Sequence, residues 1–144
     1  MVICADTSFL FSLYANDTHS PQALAWSETN TAPLVLSVLT EYELGNALRF
    51  AEFRKVLSRG ATAISWAHFA TDQAQGRISI PVCNLADIVD EAKRLSATYS
   101  LTGGHRGFDI LHVAAAIQLG AEKFLTFDAN QKKLAGAEGL EVPL

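Results

Sequence analysis

Four short runs of consecutive apolar residues punctuate the chain: "VICA" at 2–5, "PLVLS" at 33–37, "RISIPV" at 77–82 and "KFLTF" at 123–127. They are mostly continuous rather than alternating, which is the pattern of strands covered on both faces. Between them the spacing becomes helical, at about 7–15, 21–29, 38–58, 61–75, 85–99 and 107–119, with a short helix near 129–136 and a last strand around "LEVP". Strands alternating with helices predict a three-layer α/β fold, a parallel sheet of four to five strands flanked by helices. Local signals agree with these limits. Ser20 before Pro21 marks a helix start, Ser37 an N-cap and Gly120 a stop. The stretch "SLTGGHRG" at 100–107 is the one segment loose enough to read as a mobile loop.

Composition narrows the class. At 144 residues, 49% of them hydrophobic and 18% charged, the chain reads as one domain spanning 1–144 that buries its own core and is not disordered. The apolar start has no basic region before it and Asp6 interrupts it at once, so no signal peptide is expected; no run is long enough for a membrane span. Cys4 and Cys83 sit in strand-like stretches without ligand spacing and read as small buried hydrophobes of a reducing cytoplasm. The net charge of −4 would repel nucleic acid, so any RNA-binding role must come from a local site.

Four acids stand where the pattern does not want them. Asp6 follows the first strand and Asp128 follows "KFLTF", the positions that line the ligand crevice of an open parallel sheet. Each is also a natural helix N-cap, and capping alone would account for either one. At 100° per residue, Glu43 falls inside the apolar arc of the helix after Ser37, whereas Glu41 falls with Gly45, Arg49 and Glu52 on a solvated side. A carboxylate facing a core needs a partner, a cation or a raised pKa. Asn46, three residues on, would lie inward beside it, either to orient Glu43 or as a satisfied buried amide. Asp109 shares a face with His112, Val113 and Ala116, although a first-turn Asp also favours the helix dipole. His112 reads either as a general base or metal ligand, or as a hydrogen-bonded core residue whose role is to orient Asp109. The other histidines have no ligand spacing, so zinc is not expected.

If the sheet gathers Asp6, Glu43, Asp109 and Asp128, each pair would repel by roughly 4 kcal/mol at about 4 Å and an effective dielectric near 20. A divalent cation removes that conflict. All-oxygen ligation favours Mg²⁺ or Mn²⁺, and acids at a sheet edge suit metal-assisted attack of water on a phosphodiester.

In "ADTSFL", "LVLSVLTEYELGNALRF" and "HRGFDILHVAAAIQLGAEKFLTFDANQKKLA", together nearly the whole chain, the sequence resembles the PIN domains, specifically the VapC-type ribonuclease toxins of toxin–antitoxin pairs. The resemblance implies a PIN-like fold and makes Asp6, Glu43, Asp109 and Asp128 the acidic pocket, holding one or two Mg²⁺ ions, with Mn²⁺ possible. It places Thr7 and Ser8 at the hydroxyl positions after the first acid and Thr126 two residues before the last. Asn46 and His112 match supporting positions. Arg106 matches a basic residue before the third acid; it either contacts substrate phosphates or is an ordinary surface arginine. The implied activity is hydrolysis of RNA to 5′-phosphate and 3′-hydroxyl ends, in a cytoplasmic homodimer silenced by a small antitoxin. The densest basic stretch, "RFAEFRKVLSR" at 49–59, would guide RNA, meet an antitoxin's acidic tail, or form a solvated helix face.

Rival readings remain. Phosphatases with a leading Asp need a second Asp where Ser8 stands, and receiver domains need one at the end of the third strand, where the chain has "IPVCN". A catalytically silent PIN domain binding RNA or protein is the alternative from another class. A non-toxin RNA-processing nuclease would keep the chemistry and lose the antitoxin.

Overall fold

The computed structural model describes residues 1–144. The apolar runs become strands β1 (Ile3–Ala5), β2 (Leu34–Val35), β3 (Ile78–Ser79) and β4 (Lys123–Leu125), all parallel, in the order β3-β2-β1-β4. Ile3 pairs with Leu34 on one side and Lys123 on the other. The helices are α1 (Thr7–Tyr14), α2 (Ser20–Thr29), α3 (Val38–Phe53), α4 (Ala61–Ala74), α5 (Leu85–Gly103), α6 (Gly107–Gln118) and α7 (Ala129–Ala137).

Alternation along the strands divides the core into two. Ile3, Ala5, Leu34, Leu36 and Leu125 pack with Phe9, Leu10, Leu44, Leu48 and Phe69 from α1, α3 and α4. Cys4 and Phe124 pack on the other face with Ile88, Leu95, Val113, Ala114 and Leu134 from α5, α6 and α7. Because both faces are covered, β1 and β2 carry no polar side and read as unbroken apolar runs, while β3 at the sheet edge leaves Ser79 exposed. Each fully buried Leu, Ile or Phe contributes roughly 2 kcal/mol by removal from water.

Three expected boundaries move. The helix expected to reach residue 58 ends at Phe53, because Lys55 turns left-handed at φ 61° and the next two amides fold back onto the Ala51 carbonyl. The stretch expected to be a loose loop is mostly helix: α5 runs to Gly103, and Gly104, at φ 63°, closes it by donating to the Ser100 carbonyl at 2.9 Å. The strand around "LEVP" shrinks to a single parallel bridge between Lys123 and Glu141, leaving a four-stranded sheet. No helix is long and apolar enough to cross a membrane.

Topology places the functional edge. From β1 the chain moves outward through β2 to β3, then crosses back to lay β4 on the opposite side of β1. The carboxyl ends of β1 and β4 therefore flank the point where strand order reverses, which is where such sheets open a crevice.

Candidate active site

A cavity of about 450 Å³ opens at that point, and Asp6, Glu43, Asp109 and Asp128 all line it. Asp6 is fully buried on its floor. It caps α1 by accepting from the Phe9 N–H at 3.0 Å, and it also accepts from the Ser8 hydroxyl at 2.7 Å and the Thr126 hydroxyl at 2.6 Å. Burial pushes its carboxyl above the ordinary aspartate range; the bonds from Thr126, Phe9 and Ser8 and the nearby His112 oppose this without reversing it. The same hydroxyls tie β4 to α1, since Thr126 Oγ1 accepts from the Asp128 N–H and Ser8 Oγ from the Phe127 N–H, both at 3.0 Å. Asp128 in turn caps α7, accepting from the Gln131 N–H at 2.9 Å. Capping and pocket lining are thus combined in both aspartates.

Glu43 lies on the flank of α3, not within its buried stripe. That stripe is Thr40, Leu44, Gly45 and Leu48, with Gly45 buried beside Trp66 rather than on a solvated side, because α3 packs chiefly on α1 and α4 and touches α6 only lightly. His112, only 2% exposed, reaches Glu43 from α6: its Nε2 lies 3.1 Å from Oε2. On the other side of the ring, Nδ1 lies 3.2 Å from the Thr40 hydroxyl. Thr7 Oγ1 stands 3.4 Å from Nε2. Burial raises the Glu43 carboxyl, but the His112 hydrogen bond and charge, the Thr7 hydroxyl and the Arg106 charge outweigh it, leaving a net depression. His112 is therefore a hydrogen-bonded core residue that orients Glu43, not Asp109 as the helix spacing implied. Spacing along α6 cannot show which neighbouring helix a ring reaches.

Asp109 has other partners. Its Oδ1 accepts from Gln131 Nε2 at 3.2 Å and its Oδ2 from Arg106 Nε at 3.3 Å. The Arg106 side chain is 81% exposed, so this ion pair contributes little to stability and leaves the guanidinium available to a ligand. Asn46 is exposed on α3, makes no side-chain hydrogen bond and does not line the cavity, so the expectation that it lies inward beside Glu43 is corrected. It sits on the side of α3 turned away from the core. The basic stretch divides: Arg49 lies on α3, Arg54 caps it with its guanidinium over the Phe50 ring, and Lys55 and Arg59 fall in the following turn.

Several lining residues were not anticipated, among them Asp17, His19, Phe127 and Gln131. Gln131 is buried, and its Oε1 has no hydrogen-bond partner. Its signal was available in "DANQ", the spacing of a capping box in which the glutamine would reach back to the N–H of the cap. Thr126 takes that N–H instead, which frees the Gln131 amide for Asp109. A second cavity, of about 410 Å³, lies at the amino ends of β2 and β3. Three of its polar groups pair, with Tyr14 donating to Asp72 at 2.6 Å and Arg77 beside the same carboxylate at 3.2 Å.

The donor set fits a hard divalent cation. Five carboxylates line the cavity, counting Asp17, against the single guanidinium of Arg106, and the orphaned Gln131 Oε1 adds a neutral oxygen. No three acidic side chains converge closely enough to enclose an ion as they stand. Each is held by its own partners, Glu43 by His112 and Asp109 by Arg106 and Gln131. A carboxylate has about four acceptor positions, so these bonds do not exhaust it.

Residues 3–137 match the family model described as PIN domain. No curated protein matches the chain by sequence. Solved structures do match in fold. VapC20 of Mycobacterium tuberculosis, a toxin that cleaves the sarcin–ricin loop, superposes with a TM-score of 0.68 at 17% identity, covering 96% of this chain and 95% of its own. VapBC2 of Rickettsia felis, solved with a promoter DNA fragment, gives 0.65 at 15% identity over 99% and 97% of the two chains. The FitAcB structure from Neisseria gonorrhoeae gives 0.61 at 19% identity over 98% and 96%.

Proposed function

The chain belongs to the PIN domain family, and on that premise we propose that it is a metal-dependent endoribonuclease, the toxin of a VapBC-type toxin–antitoxin pair. The observation that carries this reading is the charge imbalance of the cavity, five carboxylates facing one guanidinium at the reversal point of a parallel sheet. Asp6, Glu43, Asp109 and Asp128 would hold Mg²⁺, or Mn²⁺ in its place. The ion would supply what no side chain here offers, a concentrated positive charge that acidifies water and stabilises negative charge developing on a phosphate.

The chain's own residues set the geometry. Ser8 and Thr126 hold the buried Asp6 carboxylate through their hydroxyls. His112 fixes the Glu43 carboxylate, and Gln131 does the same for Asp109. Arg106, solvent-exposed and tethered by one contact of 3.3 Å, is the group that meets the scissile region's phosphates. The fold relatives VapBC2 and FitAcB support a small antitoxin as partner; that the toxin is a cytoplasmic homodimer is part of the same proposal. Cleavage of structured RNA with Mg²⁺, Mn²⁺ or EDTA, in wild type and Asp6→Asn, tests the enzyme. We expect cleavage that requires the metal and is lost in the folded variant. No metal-dependent cleavage across a broad RNA panel would refute the reading and favour a silent binding module.

A further inference from the structure

A column of aromatic rings runs from the core to the rim of the acid cavity. Phe9 is fully buried and stacks on Phe127 with centroids 5.8 Å apart. Half-buried Phe127 in turn stacks on exposed His19 at 4.4 Å and an interplanar angle of 9°. The column therefore ends in a flat ring at the surface. Both outer residues line the cavity that holds the acids, and their rings, unlike their backbone N–H groups, bond none of the groups that hold the carboxylates.

The position of this ring is built into the site. The Phe127 N–H donates to Ser8 Oγ at 3.0 Å, and the same hydroxyl donates to Asp6 at 2.7 Å. On the other side the His19 N–H donates to Asp17 Oδ1 at 2.9 Å, while the Ser12 hydroxyl holds Asp17 Oδ2 at 2.8 Å. Phe127 is thus tied by hydrogen bonds to the acid floor, and His19 to Asp17 at the rim.

We propose that His19, seated on Phe127, is a stacking platform for an unpaired nucleobase of the RNA, adjacent to the phosphodiester brought to the acids. This deepens the ribonuclease reading and rests on it. Every base has a π-face, so stacking tolerates sequence. A ring already stacked on its neighbour loses little freedom when a base arrives. The chain's net charge of −4 cannot draw RNA by its overall field, so short-range contacts must supply affinity. Bases inside a duplex already have both faces stacked, and so the platform selects unpaired nucleotides.

The test is fluorescence titration of short single-stranded RNAs carrying 2-aminopurine at successive positions, in an Asp6→Asn background that keeps the RNA intact. We expect quenching at one position on binding, and none when the same RNA is paired in a duplex. His19→Ala should abolish that quenching and weaken binding about tenfold; His19→Phe, which keeps a flat ring, should restore both. Unchanged binding and quenching in His19→Ala, or no rescue by His19→Phe, would overturn the platform alone. RNA that binds neither form would overturn the platform together with the ribonuclease reading.

Discussion

Thr126 is the most informative single hydroxyl in the site, because it serves two groups at once. It donates to Asp6 Oδ2 at 2.6 Å and accepts from the Asp128 N–H at 3.0 Å, and it is 1% exposed. Thr126→Val removes both bonds with little change of shape. A hydrogen bond to a charged acceptor contributes about 1.5–3 kcal/mol, and a buried N–H left unpaired costs about 1 kcal/mol or more, so the expected loss is about 3 kcal/mol. For a chain of 144 residues this lowers Tm by about 10 °C. Thr126→Ser keeps the hydroxyl and should lose only about 1 kcal/mol. The loss also depends on pH. The native Asp6 carboxyl lies above its unfolded value because of burial, so it takes up a proton as pH falls through that native value. The Thr126 bond then becomes neutral and is worth about 1 kcal/mol, and the Tm gap between the Val and Ser variants should narrow in acid. Scanning calorimetry in EDTA across pH reads both effects. Equal Tm for the two variants at every pH would refute the assignment of this hydroxyl to Asp6.

Two other substitutions probe the frame. His112→Ala removes contacts to Glu43, Thr7 and Thr40 and leaves a buried void, for a loss of about 3 kcal/mol. Because His112 helps depress the Glu43 carboxyl, the wild type holds stability above the unfolded glutamate value that it loses as pH falls through the native one. Its advantage over His112→Ala should therefore shrink in acid, as Tm measured against pH will show. Gly45→Ala should be neutral or stabilising by up to about 1 kcal/mol in urea titrations, since helix propensity favours alanine. The new methyl would meet only a movable Arg49 guanidinium at 2.9 Å and the Trp66 ring at 3.4 Å.

The parts of the site legible in the sequence are those that local rules govern. Asp6 and Asp128 declare themselves by following apolar runs, because a strand end and a helix cap fall at the same residue in a parallel sheet. Glu43 was identified from a face it does not occupy; it points to the cavity from the flank of α3, and only the approach of α6 reveals why. The same approach decides the partner of His112, and no spacing within one helix contains that information. Gln131 was hidden by competition, since Thr126 takes the N–H that the capping-box spacing assigns to it. The end of α3 was misplaced because Lys55 adopts a left-handed conformation that lysine does not advertise. Asn46 shows the limit from the other side, a polar residue in the right motif that the helix turns to solvent.

The central claim, that this acid pocket holds a divalent cation, is tested most directly by thermal unfolding of wild type and Asp6→Asn in EDTA and in Mg²⁺ or Mn²⁺. A carboxyl with a raised native pKa lends stability below its unfolded value and loses it as pH rises through the native one. The metal-free Tm of the wild type should therefore fall as pH rises through that native value, and less so in Asp6→Asn, which keeps a capping side chain without a titrating carboxyl. Added metal should raise the Tm of the wild type by mass action and leave the variant nearly unmoved. A wild-type Tm indifferent to both metals, or an equal rise in the two proteins, would contradict the account.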